Sequence, residues 1–196
     1  QASKYSVPRI CFVNKMDRVG ANFANVLADI QNKLGANAAA ILIPIGSEDT
    51  LRGQIDVVNQ KAIMYSDDDR LGSTYTVVDI PEELKSEAEE AYEDLVSRVA
   101  DVDEELGEKF LMEEPISTED LKKAIRRATI ANEFIAVAGG SAFKNKGVQY
   151  LMDAVIDYLP SPLETKAIEV ESTIDPEEKK NLCVSDNEKP VALAFK

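Results

Sequence analysis

Residues 10–17 join a short apolar run to the polar sequence Asn-Lys-Met-Asp, whose side chains are suited to recognising a guanine base. The carboxylate of Asp17 can accept two hydrogen bonds at once, from the ring N1–H and from the exocyclic 2-amino group of guanine. Adenine offers neither donor there, so a site built around this carboxylate rejects adenine strongly. Asn14 is expected to tie the loop to neighbouring backbone, and Lys15 to lay its aliphatic stem along the base.

A second candidate loop, Gly139 to Lys144, follows another apolar run at 134–138. The small residues Ser141 and Ala142 let backbone N–H groups come close to a planar base, so these groups are expected to donate to the guanine 6-oxo group. Asp17 would then read the opposite edge of the same base. An Asn-Lys-x-Asp pattern alone is a weak signal, but two loops that point to the same base strengthen it.

Each loop must be held by the strand before it and the helix after it. In open α/β sheets, ligands bind outside the carboxyl ends of the strands, which is where both motifs fall. The first loop is followed by a predicted helix that Asn22 caps and Gly35 ends. The second loop leads through Gly147 into a helix that ends before Pro160.

The segment between the two motifs is predicted to contain strands and helices of its own. A hairpin turn is expected at Asn59 and Gln60, and the long acidic helix after Pro81 is expected to break near 101–104. The predicted strands are 40–46, 53–58, 61–65 and 75–80, and the predicted helices are 82–108, with that break, and one opened by a capping box of Ser117 and Asp120.

About 115 residues separate the two base motifs, whereas a βαβ unit needs only about thirty. The surplus, residues 35–130, therefore predicts an inserted subdomain. Because it has strands and helices of its own, we expect it to have its own small core.

Four phrases of the sequence, NKMDRVGANF, GSAFKNKGVQ, DYLPSP and PVALAFK, together resemble the translational GTPases and, within them, elongation factor G. The resemblance implies an α/β fold, in which the base-binding half of a P-loop-NTPase-like G domain carries an inserted α+β subdomain called G-prime. It also implies a parent that hydrolyses GTP to drive translocation of tRNA and mRNA on the ribosome. The residues that it assigns to guanine and ribose are Asn14, Lys15, Asp17, Ser141, Ala142 and Lys144.

The resemblance also implies a division into domains and a set of partners. G-prime is associated in that family with the ribosomal stalk protein, so the ribosome, the stalk protein and GTP or GDP are the expected partners. The domain parts are 1–34 and 131–165 for the G domain, 35–130 for G-prime, 166–189 for a linker, and 190–196 for the first strand of a truncated second domain.

The phosphate-binding part of such a domain is missing from this sequence. None of the nine glycines stands in the pattern GxxxxGK[S/T], and there is no histidine. The DxxG pattern from Asp17 to Gly20 overlaps the base motif and is interpreted as coincidence. We therefore expect an excised fragment, natural or engineered, with no catalytic residue of its own. GTP or GDP binding should be weak, in the millimolar range, or absent, and Mg²⁺ should belong to the full-length parent only.

The composition of the sequence limits the expected partners and cellular location of this chain. The formal net charge of −14 disfavours wrapping nucleic acid, so little direct nucleic-acid contact is expected. No stretch is long and apolar enough for a membrane span, and no signal peptide opens the chain. Cys11 and Cys183 do not resemble a disulfide framework and are expected to be reduced thiols. The expected location is the cytoplasm, and no metal site is expected.

Several alternatives stay open at this stage. The chain could act only as an isolated protein-docking module without significant nucleotide binding, or belong to a regulatory GTPase unrelated to translation. The aspartates at 67–69 fit a solvated turn better than a calcium loop. The acidic helix at 82–108 could dock a basic partner or be an exposed face. The basic stripe of Lys122, Lys123, Arg126 and Arg127 could meet the stalk protein or RNA, or be a solvated face.

Overall fold

The computed structural model of this chain describes residues 2–66, 72, 74–164, 168–171, 179–182, 184–185, 187 and 189–192. Within the described part of the first unit, Gln1–Leu159, strands form one mixed sheet in the order β1-β6-β2-β3-β4-β5. The first three strands in that order are parallel and the rest are antiparallel. The strands are β1 (Cys11–Val13), β2 (Ala38–Ile45), β3 (Gly53–Asp56), β4 (Lys61–Tyr65), β5 (Tyr75–Val78) and β6 (Ile135–Gly139).

The helices of this unit begin and end close to their predicted signals. Asn22 accepts a hydrogen bond from the Asn25 N–H at 2.9 Å, and Gly35 ends the helix in the left-handed region at a φ of 59°. The acidic stretch breaks into two helices, as predicted. The helices are α1 (Phe23–Leu34), α2 (Lys85–Ala100), α3 (Glu104–Leu111), α4 (Thr118–Ile130) and α5 (Val148–Tyr158).

The predicted hairpin is present as β3 and β4, which pair antiparallel. Its turn is held by Asp56, whose carboxylate accepts hydrogen bonds from the Asn59 N–H at 2.9 Å and from the Asn59 side-chain amide at 2.7 Å. Gln60 completes the turn with a φ of 51°. An aspartate side chain that accepts a hydrogen bond from the backbone N–H three residues later favours a turn over a continued strand.

The described residues of the segment 35–130, predicted to be an insertion, share one core with the strands of the base motifs, in contrast to the separate core expected from the sequence. Its strand β2 pairs in parallel with β6, so the inserted strands extend the sheet that carries the base motifs. One hydrophobic cluster joins Val13 and Met16 of the first loop region with Ile55, Leu95 and Ile125 of the insertion. A shared sheet has shared faces, and the helices that cover it bury both parts together. The division at 35 and 130 as a functional boundary stays a prediction.

A buried carboxylate joins α3 to α4. Asp103 caps α3 by accepting from the Leu106 N–H at 3.0 Å. The guanidinium of Arg127 donates to both oxygens of the same carboxylate, at 2.7 and 2.8 Å. These hydrogen bonds, that of Arg127 first, lower the pKa of Asp103 against the raising effect of burial. The pair fixes how α3 packs against α4.

The basic stripe of α4 faces partners within the chain. Lys122 lies 3.1 Å from the Asp157 carboxylate, and Lys123 lies 2.7 Å from that of Glu119. Arg126 donates to the backbone carbonyls of Ile156, Asp157 and Leu159, at the C-terminal end of α5. Cations near a helix C-terminus are stabilising there. Lys122 and Arg126 therefore tie α4 to α5, a role that neither alternative from the sequence included, whereas Lys123 pairs within α4 itself.

In the second unit, Pro160–Lys196, the strands β7 (Ile168–Glu171) and β8 (Lys179–Leu182) pair antiparallel. These strands fall within 166–189, and the linker predicted for that range stays a prediction. Lys179 lies 2.8 Å from a Glu169 oxygen and 3.7 Å from one of Glu171, and such opposite charges on facing strands favour pairing. Residues 190–192 form no strand, while 193–196, Cys183 and the aspartates at 67–69 lie outside the described residues.

Cys11 is a free cysteine, as predicted, and burial raises the pKa of its thiol. No helix in the described ranges has the length and apolar character needed to cross a membrane.

We expect the cap of α4 to weaken in acid. Asp120 accepts hydrogen bonds from the Lys109 ammonium at 2.7 Å and from the Ser117 hydroxyl at 2.8 Å, which lower its pKa from 3.8 to about 2. A lowered folded-state pKa means that the carboxylate stabilises the fold above about pH 4 and that this contribution is lost as the pH falls towards 2. Urea denaturation should therefore find Asp120→Asn less stable than wild type near pH 6 and the two closer near pH 3. An unchanged difference at the two pH values would contradict this account.

Candidate functional site

The two sequence motifs lie side by side at one edge of the sheet. β1 pairs with β6 so that Val13 lies opposite Gly139, and the polar loops leave the sheet from these positions. Backbone hydrogen bonds continue beyond the strands. The Gly140 N–H donates to the Val13 carbonyl, and the Met16 N–H donates to the Gly140 carbonyl, both at 3.0 Å. The loops are therefore held to each other along their length.

Asp17 is fixed by a residue of the other loop. The Ser141 hydroxyl donates to Asp17 Oδ1 at 2.6 Å, and the side chain of Asp17 is only 7% exposed. The Ser141 hydrogen bond is the main cause of a lowered pKa of Asp17, with the charges of Lys144 and Arg18 adding to it against the effect of burial. Asp17 is thus ionised at neutral pH. Its second oxygen, 3.9 Å from the Arg18 guanidinium, still has room to accept hydrogen bonds.

Asn14 bridges the two loops, in agreement with its expected tie to neighbouring backbone. Its Oδ1 accepts from the Lys15 N–H at 2.8 Å and from the Ala142 N–H at 2.9 Å. Lys15 has a φ of 64°, which is uncommon for a residue other than glycine and costs about 1 kcal/mol. The structure therefore holds this loop in a shape that its residues would not adopt in isolation.

The backbone N–H groups of the second loop only partly have the roles expected from the sequence, because some of them donate to other groups of the protein. The Ser141 N–H donates to the Lys146 carbonyl at 2.9 Å, so it is not aimed at a ligand. The Ala142 N–H already bonds to Asn14, and a base that used it would share it with that side chain. Lys144 contributes through its backbone, because its N–H donates to the Ser141 hydroxyl at 3.2 Å. All six predicted residues nevertheless belong to these two adjoining loops.

Glu48 holds the first loop from the insertion, and the sequence pattern did not point to it. It follows β2, whose carboxyl end lies at the same edge of the sheet. The Glu48 carboxylate accepts from the Gly20 N–H at 2.7 Å, and the Glu48 N–H donates to the Met16 carbonyl at 2.8 Å. In the sequence, only the position of Glu48 after a buried strand indicated a role at this edge of the sheet. Its contact with Gly20 spans 28 residues of sequence, so neighbouring residues could not indicate it.

A buried polar pair, Gln54 and Tyr65, lies against the second loop and was also missed. The Gln54 side chain donates to the Gly139 carbonyl at 3.1 Å, and the Tyr65 hydroxyl donates to Gln54 Oε1 at 2.9 Å. The Gly147 N–H donates to the Tyr65 oxygen at 2.7 Å. A glutamine at a core-facing strand position was the available signal, since buried polar groups need partners.

Comparisons with known proteins also indicate a GTP-binding domain. The family model for the elongation factor Tu GTP binding domain matches residues 1–161. The solved crystal structure of ttk003000868 from Thermus thermophilus is similar at a TM-score of 0.72 and 26% sequence identity. The similarity covers 85% of this chain and 25% of that one, so the chain spans about a quarter of the length of that relative. The chain belongs to the elongation factor Tu GTP-binding domain family, the GTP-binding domains of translational GTPases.

Proposed function

We propose that this chain is the base-recognising part of elongation factor G, the ribosome-dependent GTPase that moves tRNA and mRNA during protein synthesis. The observation that carries the proposal is the Asp17 carboxylate, which is largely buried, ionised and held by Ser141 at 2.6 Å at the carboxyl ends of adjacent parallel strands. The residues proposed to hold guanine and ribose are Asn14, Lys15, Asp17, Ser141, Ala142 and Lys144.

The chemistry of the site favours guanine over adenine. An ionised carboxylate only accepts hydrogen bonds, and the N1–H and 2-amino groups of guanine are two donors on one edge. With Asp17 Oδ1 taken by the Ser141 hydroxyl, the second oxygen and the remaining lone pairs are available to the base. Adenine offers no donor on this edge, so the second oxygen of the carboxylate would lose its hydrogen bonds to the base at a considerable cost in free energy. The side-chain stem of Lys15 is exposed beside the loop and suits contact with the face of the base.

GTP hydrolysis requires groups that this sequence does not contain. The phosphate-binding pattern is absent, and with it the backbone cradle and the hydroxyl that would hold Mg²⁺. Charged phosphate contacts supply much of the affinity for a nucleotide. We therefore expect this chain to bind GDP in the millimolar range or more weakly, about 4 kcal/mol at best, and to have no GTPase activity alone. Mg²⁺ would act in the full-length factor.

The inserted segment 35–130 is proposed to dock the ribosomal stalk protein. Its helices α2 and α3 frame a groove with apolar walls, and Phe110, Leu111 and Met112 at the end of α3 are exposed. Exposed apolar clusters on a monomer mark interaction surfaces. This groove also favours the second candidate function, an isolated protein-docking module with no significant nucleotide binding. We also propose that the protein is located in the cytoplasm and makes little direct contact with nucleic acid.

One heteronuclear NMR titration tests both functions. GDP should shift amide signals of residues 14–17 and 141–144 in the millimolar range, while the C-terminal domain of the stalk protein should shift signals within 35–130. Shifts with the stalk domain alone would support the docking module and contradict guanine binding. Micromolar GDP affinity would contradict the expected weakness, and an absence of shifts with either ligand would overturn both candidates.

A further inference from the structure

We propose that Gln54 and Tyr65, two buried side chains of the inserted hairpin, set the conformation of the loop 139–147 and thereby the affinity of the guanine site. The inference rests on the proposed function and adds residues that do not touch the base. Both act as positioning residues, because they hold the backbone that carries Ser141.

The hydrogen bonds of this pair reach both ends of the loop. The Gly147 N–H donates to the Tyr65 oxygen at 2.7 Å, and the Tyr65 hydroxyl donates to Gln54 Oε1 at 2.9 Å. The Gln54 amide then donates to the Gly139 carbonyl at 3.1 Å. Gln54 is fully buried, so these groups have no access to water as an alternative partner. One continuous chain of hydrogen bonds therefore spans the two ends of the loop, inside the core.

The loop packs against the Gln54 amide through glycines. A Cβ atom on Gly147 would come within 2.3 Å of Gln54 Nε2, and one on Gly140 within 3.1 Å. Gly147 also has a φ of 90°, which residues with side chains rarely adopt. The loop backbone thus approaches the amide closer than any residue with a side chain would allow. The glycines at 140 and 147 are explained by this approach as well as by access to a base.

Two further contacts extend the support along the loop. The Lys146 ammonium donates to the Leu51 carbonyl at 2.6 Å and lies 5.6 Å from the centre of the Tyr65 ring. A Cβ atom on Gly72, from the segment between β4 and β5, would come within 2.3 Å of the Lys144 carbonyl. Leu51, Tyr65 and Gly72 of the segment 35–130 therefore lie close to the loop at several points between its ends.

The position of this loop determines the position of Ser141. Two hydrogen bonds of 2.9 Å join Ser141 and Lys146, one in each direction between their backbones. Lys146 is next to Gly147, which Tyr65 holds, so a displacement at Gly147 moves Ser141. The Ser141 hydroxyl in turn orients Asp17 and lowers its pKa. The hairpin thus acts on the guanine site through Gly147, Lys146 and Ser141.

Tyr65→Phe tests the inference, because it removes one hydroxyl and leaves the ring in place. The Gly147 N–H and Gln54 Oε1 would lose their partner inside the core, a change that we expect to shift the loop and weaken GDP binding roughly tenfold. At a fixed GDP concentration, the GDP-induced shifts at residues 14–17 should fall accordingly. Tyr75→Phe is the matched control, since it removes a hydroxyl from a neighbouring, partly exposed tyrosine of the same sheet and should change binding less than about twofold.

A readout without nucleotide separates this inference from the proposed function. The pKa of Asp17, followed by carbon-detected NMR, should rise towards its usual range in Tyr65→Phe and not in Tyr75→Phe. A rise in that pKa with no GDP binding by the wild type would contradict guanine binding and retain the positioning role. An unchanged pKa and unchanged GDP shifts in folded Tyr65→Phe would overturn the inference. If that variant does not fold, Gln54→Met replaces it, because it removes the amide that bonds to Gly139 and Tyr65, and the same two readouts decide.

Discussion

Replacing Asp17 by asparagine is expected to weaken guanine nucleotide binding by about a hundredfold or more and to create a preference for xanthine nucleotides. The two charge-assisted hydrogen bonds proposed between Asp17 and the base would be lost, each contributing about 1.5 to 3 kcal/mol. The asparagine amide donates where the carboxylate only accepts, and the 2-oxo group of xanthine can receive that hydrogen bond. Competition between GTP and XTP for the full-length factor proposed above would measure the change.

The structure indicates that this substitution leaves the loops in place. The Ser141 hydroxyl donates to Asp17 Oδ1, and the carbonyl oxygen of an asparagine can accept the same bond. Asp29→Asn, on the exposed face of α1 with the side chain 57% exposed, is a matched control that should leave nucleotide preference unchanged. A GTP over XTP preference that survives Asp17→Asn would remove Asp17 from the base site.

Replacing Arg127 by methionine is expected to lower the free energy of unfolding by about 2 to 3 kcal/mol at neutral pH. Asp103 would keep its hydrogen bond from the Leu106 N–H but lose both bonds from the guanidinium, which leaves a charge at a position only 6% exposed. Removing one member of a buried pair costs about 3 to 5 kcal/mol, and the partial exposure of Arg127 reduces the value here. Urea denaturation at pH 7 would measure it.

The same variant should respond to pH in a way that identifies its cause. In the wild type the lowered pKa of Asp103 means that the pair stabilises the fold above about pH 4 and that this contribution is lost as the pH falls. Without Arg127, burial holds the pKa of Asp103 above its wild-type value. Protonation of Asp103 at low pH then removes the free-energy cost of an unpaired buried charge. The stability difference should therefore shrink between pH 7 and about pH 3.5. Lys123→Met, which removes an exposed partner of Glu119, should change the stability far less, and an equal loss in both variants would contradict this explanation.

Local signals in the sequence predicted the elements that carry the base motifs. A side-chain cap at Asn22, a left-handed glycine at Gly35 and a turn at Asn59 each act within a few residues, so their effects can be inferred from neighbours alone. The loops after β1 and β6 were predicted in the same way. Their strands pair directly, as the expected sheet required.

The contacts that support the candidate site could not be predicted in this way, because they join distant parts of the chain. Gln54 meets Gly139 across 85 positions, and Tyr65 meets Gly147 across 82. Periodicity reports which face of an element is buried but not which strand lies beside it. The placement of β2 beside β6 was missed for this reason, and with it the shared core of the insertion and the base strands.

The strand order also has a consequence for synthesis of the protein. Of the strands described in the first unit, β6 comes last in the sequence, yet it fills the place between β1 and β2. At about 5 to 20 residues per second, roughly 5 to 20 s separate translation of β2 from translation of β6. During that interval the edges of β1 and β2 that β6 will join lack their final partner, and unpaired edges can recruit strands of other chains. A nascent chain of this protein thus passes through a stage open to aggregation before its two loops can meet.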